Sequence, residues 1–282
     1  MTFDDVDVAT DVLVGGGWGN RRAFFKFAVE HARCWPLVAE VDDGIVGTGI
    51  ATANGPVGWV GMIFVDEGLR GRGIGTILTQ AVIERLETEG CATLALLASP
   101  LGRPIYERLG FRPDMDYRLL VAPGGPSAGS AASGEPPAPD GEPSRIRPFA
   151  AEDLAAIVAI DRLATGEDRA HLLRAVATPT TTTVIVRADG AVVGFDARAP
   201  WGGHPTIAPE LVDGLRLVEA RRTRAVAGTD VRTALPEIQR VGATTLENFG
   251  WREERRLTRM IRGAPVVWRP TAIWGQFNFA IG

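Results

Sequence analysis

Residue types that build disulfides and metal sites are scarce in this sequence. The chain of 282 residues has only two cysteines, Cys34 and Cys91, and three histidines. Two cysteines are too few for a disulfide framework, and their separation does not match a metal-ligand motif. We therefore expect no structural metal, and we predict that each cysteine is a small buried apolar side chain in a reducing compartment.

Long apolar runs and an excess of positive charge are also missing. No run of hydrophobic residues reaches the roughly 18 residues that a membrane helix needs, and the acidic segment from Met1 to Asp11 lacks the apolar region of a signal peptide. The 30 basic and 34 acidic residues give a formal net charge of −4, so no overall positive field attracts nucleic acid. These absences predict a cytoplasmic protein with no nucleic-acid or membrane partner.

The composition that is present indicates two domains. Hydrophobic residues make up 45% of the chain, which is enough for two packed cores. Between Pro123 and Ser144 the composition changes to Pro, Gly, Ala, Ser and a few acids, which cannot bury enough apolar surface to offset the entropy of ordering. The predicted organisation is a first domain over residues 1–122, a linker over 123–144 and a second domain over 145–282.

The two predicted domains repeat each other in outline. Each contains a strand, a tight turn with an Asp-Gly pair and a second strand, over residues 37–47 and 184–194. Each also ends with a helix that stops at a glycine, Gly110 or Gly250, followed by an aromatic residue that opens a strand. A duplication explains both correspondences. The alternative is that two unrelated α/β domains share common turn chemistry.

Hydrophobic periodicity predicts the elements of the first domain. We expect helices at 20–33, 74–89 and 103–109, and strands at 36–42, 45–53, 57–65, 92–98 and 111–121. The helix over 74–89 should bury one face, formed by Ile74, Ile77, Leu78, Ala81, Val82, Arg85 and Leu86. The order of these elements predicts an α/β (α+β) fold whose mixed sheet carries helices on its faces.

A glycine-rich turn connects the predicted strand 57–65 to the helix 74–89. Its sequence is Asp66-Glu-Gly-Leu-Arg-Gly-Arg-Gly-Ile-Gly75. Such a turn at the start of a helix presents backbone N–H groups at the positive end of the helix dipole, and Arg70 and Arg72 add positive charge. The turn lacks both the dinucleotide-binding glycine spacing and the Gly-Lys-Ser/Thr ending of a P-loop. It therefore predicts an anion site of another class.

This segment resembles a known family. Arg70-Gly-Arg-Gly-Ile-Gly75 matches the Arg/Gln-x-x-Gly-x-Gly/Ala signature of the GCN5-related N-acetyltransferase (GNAT) superfamily. In that family the loop amides hold the pyrophosphate of acetyl-CoA, and the preceding strand pairs through its backbone with the pantetheine arm. The resemblance implies acetyl-CoA as co-substrate, with no metal. It implies the following cofactor-binding residues: Ile63, Phe64, Val65, Arg70, Gly71, Arg72, Gly73, Ile74, Gly75 and Thr76.

A second match to the family lies in Pro104-Ile-Tyr-Glu-Arg-Leu-Gly-Phe111. Tyr106 falls where a tyrosine commonly protonates the leaving thiolate, so the resemblance implies a catalytic role. The alternative is a phenol half-buried in a core helix. GNAT enzymes often carry a glutamate on the strand before the loop, but residues 56–65 contain no acid or histidine, and no general base is assigned. The nearest candidates in sequence are Asp66, Glu67, Glu30 and His31.

Two further segments resemble a tandem GNAT subfamily whose second half is divergent. They are Gly17-Trp-Gly-Asn20 and Ser99-Pro-Leu-Gly102. Where those relatives read Leu-Asp-Ala-Thr-Pro, this chain has Leu96-Leu-Ala-Ser-Pro100, without the acidic residue. The resemblance implies two GNAT-like domains in tandem.

The second half has lost both catalytic elements of the first. Residues 207–215 stand where the glycine signature should lie and do not contain it, and Leu246 takes the position of Tyr106. We predict that the second domain is degenerate and non-catalytic. Asp161 and Arg169 in this half are interpreted as a structural ion pair rather than as catalytic residues.

These features predict an acetyl-CoA-dependent N-acetyltransferase that transfers an acetyl group to the amine of a small molecule. Two alternatives stay open: a CoA-binding regulatory protein without turnover, and a protein or peptide N-acetyltransferase, which would need an open groove. Fold does not fix the substrate, and the sequence does not choose among an amino sugar, an amino acid, a polyamine and an antibiotic. A homodimer is compatible with the sequence.

Overall fold

A computed structural model describes residues 1–125 and 144–282, which form two compact units. Unit 1 comprises Met1–Asp114, Arg259–Val266 and Phe279–Gly282; unit 2 comprises Met115–Thr258 and Val267–Asn278. Most of the predicted linker, residues 126–143, lies outside the described residues.

All eight elements that the periodicity predicts are present, with ends shifted by three residues or fewer. The helices of unit 1 are α1 Asp5–Gly15, α2 Arg22–Glu30, α3 Ile74–Thr88 and α4 Arg103–Arg108; its strands are β1 Cys34–Val41, β2 Gly44–Asn54, β3 Val57–Val65 and β4 Thr93–Ala98, and β5 Arg112–Pro123 begins in it. Strands β1, β2 and β3 are antiparallel neighbours, and β4 is parallel to β3. The sheet is therefore mixed, as predicted.

Helix α1 was not predicted. Its buried residues Val6, Ala9 and Leu13 follow the helical spacing of three and four, and Asp5 and Asp7 occupy its first turn, where the helix dipole favours negative charge. The pattern is weak because Val8 and Val14 are exposed on the other side. Because apolar residues lie on both faces of α1, the hydrophobic periodicity of this segment is too weak to predict a helix.

Helix α3 buries a face that is rotated from the predicted one. Its buried residues are Leu78, Thr79, Val82, Ile83 and Leu86. Ile77 was predicted to be buried, and this is wrong: its side chain is 66% exposed. Successive helical residues differ by about 100°, so a stripe centred between Leu78 and Thr79 turns Ile77 to solvent.

The hairpin of β1 and β2 turns one residue earlier than the Asp-Gly pair suggests. Val41 pairs with Gly44, so the two turn residues are Asp42 and Asp43, with φ of 49° and 63°. Both values match the turn type whose twist suits a two-residue hairpin, and aspartate tolerates this left-handed region. Gly44 begins β2.

Both cysteines are free and buried, as predicted. Burial raises the pKa of Cys34 to about 11, although a hydrogen bond from Thr52 opposes the rise. Burial also raises the pKa of Cys91. Both side chains are therefore neutral thiols that behave as apolar groups.

Unit 2 is built around a five-stranded sheet in the order β12-β9-β8-β7-β6. Its strands are β6 Arg145–Pro148, β7 Thr182–Val186, β8 Val192–Ala197, β9 Thr206–Ile207, β10 Asp230–Pro236 and β12 Ile273–Gly275, and β11 Arg252–Gly263 begins in it; its helices are α5 Leu154–Thr165, α6 Ala170–Val176, α7 Leu211–Arg224 and α8 Arg240–Asn248. Strand β10 pairs with β5 in antiparallel fashion. The core of the unit contains Leu120, Leu217, Leu235 and Trp274.

The compact units do not follow the linear boundaries. Residues 259–266 and 279–282 belong to unit 1, although they lie within the predicted second domain, 145–282. Within unit 1, Arg259 is buried and donates to Asp114 at 2.5 Å, and Thr93 donates to the carbonyl of Ala264 at 2.7 Å. A segment far along the chain thus completes the packing of unit 1. The composition of the chain does not indicate that these C-terminal residues pack in unit 1.

Candidate functional site

The glycine-rich turn is held at its base by its own side chains. Asp66 accepts a hydrogen bond from the backbone N–H of Gly68 at 2.9 Å and caps a short 3₁₀ turn over Glu67–Leu69. The Arg70 Nε atom donates to the carbonyl of Val65 at 3.1 Å. Arg70 therefore braces the loop against the end of β3, while Arg72 is exposed to solvent.

The loop enters α3 through two glycines in the left-handed region. Gly71 has φ 78° and Gly73, the N-cap of α3, has φ 86°. A Cβ placed on either glycine would find no atom within 4 Å, so the space in front of the loop is open. Within the described part of the chain, the backbone N–H groups of residues 71–75 have no hydrogen-bond acceptor. Open space, free N–H groups and the positive end of a helix together suit an anion.

Strand β3 separates from β4 just before the loop. The two strands pair only over Val57, Gly58 and Trp59, opposite Thr93, Leu94 and Ala95. Beyond Trp59 no strand among the described residues pairs with this edge of β3, although β3 continues to Val65. The predicted residues Ile63, Phe64 and Val65 therefore lie where β3 has β2 on one side and a gap on the other, and at the end of this stretch the Val65 carbonyl accepts from Arg70 as described above.

A bulge in β3 accompanies the gap. Met62 and Ile63 together lie opposite Gly49 of β2, and Met62 has φ 52°. The Thr48 hydroxyl donates to the Met62 carbonyl at 2.8 Å and fixes the irregularity. A bulge bends a strand and increases its twist, which is the physical reason that β3 turns away from β4 at this point.

Tyr106 lies on α4 and packs edge-on against Phe111, with 6.1 Å between ring centroids. A Cβ placed on Gly102 would lie 3.3 Å from the Tyr106 hydroxyl oxygen, so this glycine leaves room for the phenol. Burial raises the pKa of Tyr106 to about 12. Among the described residues the hydroxyl has no hydrogen-bond partner, and it is protonated throughout the physiological pH range.

The four sequence candidates for a general base all have other contacts or lie at the surface. Asp66 caps the turn as described, and Glu67 pairs with Arg70 at 3.4 Å while 86% exposed. The His31 Nδ1 atom accepts from the Arg33 N–H at 3.2 Å, and Glu30 is exposed at the end of α2. The structure does not bring these four side chains together at the gap.

The connection between α1 and α2 reaches the end of β3, which the sequence did not indicate. Trp18 packs edge-on against Phe64, with ring centroids 5.4 Å apart. A Cβ on Gly16 would lie 2.3 Å from the Phe64 ring, so only glycine fits there. The run Gly15-Gly-Gly-Trp-Gly was the available signal, because repeated glycines often mark a close approach to another group.

Unit 2 has a different arrangement at the corresponding place. Strand β9 has only two residues, and the segment Ala208-Pro-Glu210 leads directly into α7. Pro209 has no N–H group, and the N–H of Ala208 donates to the Ala272 carbonyl at 2.9 Å. Strand β12 pairs with the edge of β9 that faces away from β8. In unit 2 the chain itself therefore occupies the edge that is unpaired in unit 1.

The start of α7 is also closed to an anion. Asp213 in its first turn is buried and pairs with Arg187 at 2.8 Å; burial raises the pKa of this carboxyl although Arg187 opposes the rise. The indole of Trp274 covers Gly214, where a Cβ would lie 1.9 Å from the ring. The Trp274 Nε1 atom donates to the Ala208 carbonyl at 3.1 Å.

Among the described residues of unit 2, two ion pairs between an aspartate and an arginine have both side chains buried. The predicted pair of Asp161 and Arg169 is confirmed: both side chains are at most 2% exposed and their shortest N–O distance is 2.5 Å. The second pair, Asp196 and Arg221 at 2.8 Å, was not predicted, and Thr206 bonds to both partners. Burial alone would raise the pKa of Asp196, but Arg221, the nearby His204 and the hydrogen bond from Thr206 lower it to about 2.

Clusters of metal-ligating side chains and membrane-spanning helices are both absent from residues 1–125 and 144–282. No group of three or more His, Cys, Asp or Glu side chains is arranged there to hold a metal ion. None of the helices in these ranges has both the length and the apolar character of a membrane span.

Comparison with known families finds a match in each half of the chain. The Acetyltransferase (GNAT) family matches residues 15–111, and the Acetyltransferase (GNAT) domain matches residues 157–275. No curated protein sequence matches the chain.

Solved structures share the architecture over nearly the whole chain. A proposed acetyltransferase from Pyrococcus horikoshii is 18% identical with a TM-score of 0.79, covering 100% of this chain and 94% of its own. A tandem GNAT protein from the clavulanic acid biosynthesis pathway is 16% identical with a TM-score of 0.62, covering 94% and 98%. A GCN5-related N-acetyltransferase from Sphaerobacter thermophilus is 16% identical with a TM-score of 0.59, covering 95% and 96%. At these identities the likeness concerns the fold alone.

Proposed function

The chain belongs to the GNAT superfamily and carries two GNAT domains in tandem, and from this premise we propose that unit 1 transfers an acetyl group from acetyl-CoA to the amine of a small molecule. GNAT acetyltransferases use acetyl-CoA, which supplies the acetyl group as an activated thioester. One observation carries the proposal: in unit 1, five free backbone N–H groups adjoin an unpaired strand edge.

The residues of unit 1 fit both ends of such a co-substrate. We assign the N–H groups of residues 71–75 to the pyrophosphate, because the positive-φ glycines leave the cradle open and Arg72 adds a cation beside it. We assign the backbone of Ile63–Val65 to the pantetheine arm, whose amides require partners of the kind that a free strand edge offers. Arg70 and Thr76 act indirectly: Arg70 braces the loop, and the Thr76 N–H already bonds to Gly73 at 3.0 Å.

Tyr106 is assigned the role of proton donor to the departing thiolate. Its phenol is protonated at physiological pH, because burial raises its pKa to about 12. Its hydroxyl has no hydrogen-bond partner in the described residues, so donation to sulfur breaks no existing bond. General acid catalysis of this kind accelerates reactions by about 10²–10⁴.

A binding experiment followed by an activity experiment tests the proposal. Calorimetry with CoA should find one site per chain, because at the start of α7 in unit 2 Pro209 has no N–H group and the N–H of Ala208 is already bonded. A thiol-release assay with acetyl-CoA and a panel of amino sugars, amino acids, polyamines and aminoglycosides should then identify the acceptor class. Absence of CoA binding would contradict the proposal. Tight CoA binding without release of thiol for any amine would favour the regulatory alternative.

A further inference from the structure

Strand β3 contains a backbone conformation that its side chain does not favour. Met62 has φ 52°, and among the described residues other than glycine only Asp42 and Asp43 also have positive φ. Those two aspartates form a hairpin turn, and aspartate tolerates the left-handed region, whereas methionine has no polar group that would favour it. Such a residue keeps its conformation only where its surroundings hold it there, and strain of this kind is concentrated at functional sites.

The side chain that holds Met62 is Thr48 of β2. Thr48 is fully buried, and its hydroxyl donates to the Met62 carbonyl at 2.8 Å. Thr48 pairs with Phe64, the residue that directly follows the bulge of Met62 and Ile63. A partly buried carbonyl that loses its donor is unfavourable, so the hydroxyl stabilises this orientation of the peptide unit between Met62 and Ile63.

The orientation of that peptide unit determines where its N–H group points. The described part of the chain contains no cis peptide bond, and the C=O and N–H groups of a planar trans peptide point in opposite directions. The carbonyl is aimed at Thr48 on β2, so the N–H group, which belongs to Ile63, points away from β2. Beyond Trp59 the gap lies on that side of β3.

We infer that Thr48 is a positioning residue for acyl transfer: its hydroxyl fixes the peptide unit between Met62 and Ile63 so that the Ile63 N–H donates to the thioester carbonyl oxygen. The inference rests on the proposed function and deepens it. Negative charge develops on that oxygen when an amine attacks, and a donor that is already oriented stabilises the charge without reorganisation. Thr48 acts only through the peptide unit.

The reaction that this donor assists is balanced by groups already assigned. The amine nitrogen attacks the carbonyl carbon, the C–N bond forms and the C–S bond breaks, with its electron pair going to sulfur. Sulfur takes a proton from Tyr106, the amine loses one proton to solvent, and Tyr106 regains one from solvent. The Ile63 N–H donates a hydrogen bond throughout and transfers no proton.

Substitutions at Thr48 separate its hydroxyl from its bulk. Thr48→Val replaces the hydroxyl by a methyl group of similar size, Thr48→Ala removes the hydroxyl without adding a methyl group, and Thr48→Ser retains it. The matched control is Thr52→Val, because Thr52 is equally buried and lies on the same face of β2. Its hydroxyl donates to the Cys34 sulfur at 3.6 Å and not to the backbone of β3. Urea unfolding identifies the variants that are folded.

Calorimetry with CoA and with acetyl-CoA requires no acceptor amine. CoA has no thioester carbonyl, so Thr48→Val and Thr48→Ala should bind it within about twofold of the native protein. Their affinity for acetyl-CoA should fall by about 3- to 10-fold, which is the usual effect of one hydrogen bond. With the acceptor found in the amine panel, kcat should fall by about 10- to 100-fold, because removing such a donor outright costs about 10²–10³.

Thr48→Ser and Thr52→Val should stay within about threefold of the native protein in affinity and in kcat. Equal losses of CoA and acetyl-CoA affinity, native behaviour of the variants without the hydroxyl, or the same losses in Thr52→Val would each overturn the role of Thr48 and leave the proposed function intact. If the native protein bound neither CoA nor acetyl-CoA, the proposed function would fail first and the inference with it.

Discussion

The connection from strand to helix differs between the two units, although both are GNAT domains. In unit 1 a nine-residue strand, β3, leads through a loop with two left-handed glycines into α3. In unit 2 a two-residue strand, β9, leads through a proline into α7. The first arrangement leaves backbone donors free, and the second uses or removes them. Retaining a fold therefore does not retain a site, because the site depends on backbone groups that have no partner within the chain.

The strand edges show the same contrast. Beyond Trp59 the edge of β3 faces a gap, whereas the matching edge of β9 pairs with β12. Trp274, which belongs to β12, also covers the first turn of α7. In unit 2, β12 occupies the strand edge and Trp274 covers the start of the helix, whereas both positions are open in unit 1. These contacts close the positions in unit 2 that correspond to those assigned to CoA in unit 1 under the proposed function.

The largest expected effect is at the loop of unit 1. Gly73→Glu places a side chain at φ 86° and a carboxylate in front of the free amides, so CoA affinity should fall by about 10² or more. Calorimetry measures the loss. Gly90→Glu is the matched control, because Gly90 also has φ of 80° with open space around it but follows the other end of α3. Equal losses in both variants would show that backbone strain alone, rather than the anion site, is responsible.

The next effect concerns turnover. Tyr106→Phe keeps the ring packed against Phe111 and removes only the hydroxyl, so kcat should fall by about 10²–10⁴ while acetyl-CoA affinity changes little. Steady-state kinetics with the acceptor found in the amine panel measures this. Tyr117→Phe, which alters the other tyrosine of the chain, serves as the control and should leave kcat unchanged. A rate in Tyr106→Phe equal to the native rate would remove Tyr106 from the mechanism.

A pair of glycine substitutions compares the two helix starts directly. Gly214→Ala drives a Cβ into the Trp274 indole and should destabilise the protein by up to about 3 kcal/mol. Gly75→Ala, in the first turn of α3, meets only ordinary contacts at 3.6 Å and should be neutral or slightly stabilising in the absence of ligand. Urea unfolding provides the comparison. If both substitutions were neutral, Trp274 would not be packed on α7 as described.

The smallest expected effect is an acid sensitivity that belongs to unit 2. The pKa of Asp196 is lowered to about 2, so its contribution to stability is complete above about pH 4 and is lost as the pH falls through 2. We expect the stability difference between the native protein and Asp196→Asn to shrink by about 2 kcal/mol between pH 5 and pH 2. Urea unfolding across that range measures it.

The exposed pair of Asp230 with Arg232 provides the control for this measurement. Because solvent screens it, Asp230→Asn should differ from the native protein by less than about 1 kcal/mol at every pH. A constant difference for Asp196→Asn across the range would contradict the assigned pKa.

Local sequence patterns were sufficient to predict most helices and strands of unit 1 and the position of the glycine-rich loop. The alternation of apolar residues located β1 to β5, and the glycine-rich turn located the start of α3. One wrong prediction and one missed helix depended on details that hydrophobic periodicity does not contain. Ile77 is exposed because the buried stripe of α3 is rotated, and α1 was overlooked because its exposed valines dilute the pattern.

Two features could be identified only from the tertiary structure: the packing of C-terminal residues in unit 1, and the pairing of β12 with the edge of β9 in unit 2. Nothing in Ile273–Gly275 distinguishes a strand that fills a gap from one that extends a sheet, and nothing near Asn54 indicates that its amide holds Ile281. These contacts join residues far apart in the chain, and local propensity is insensitive to such pairs.

The sequence by itself determined which backbone conformations are available, since glycine and proline act on φ at their own positions, and so it determined where free amides could exist. Only the tertiary structure decided which strand edges remain open, because an edge is open or closed according to whether a distant segment lies beside it. In this protein residues 273–282 provide the distant segments. Strand β12 pairs with the edge of β9 in unit 2, and residues 279–282 pack on β3 in unit 1.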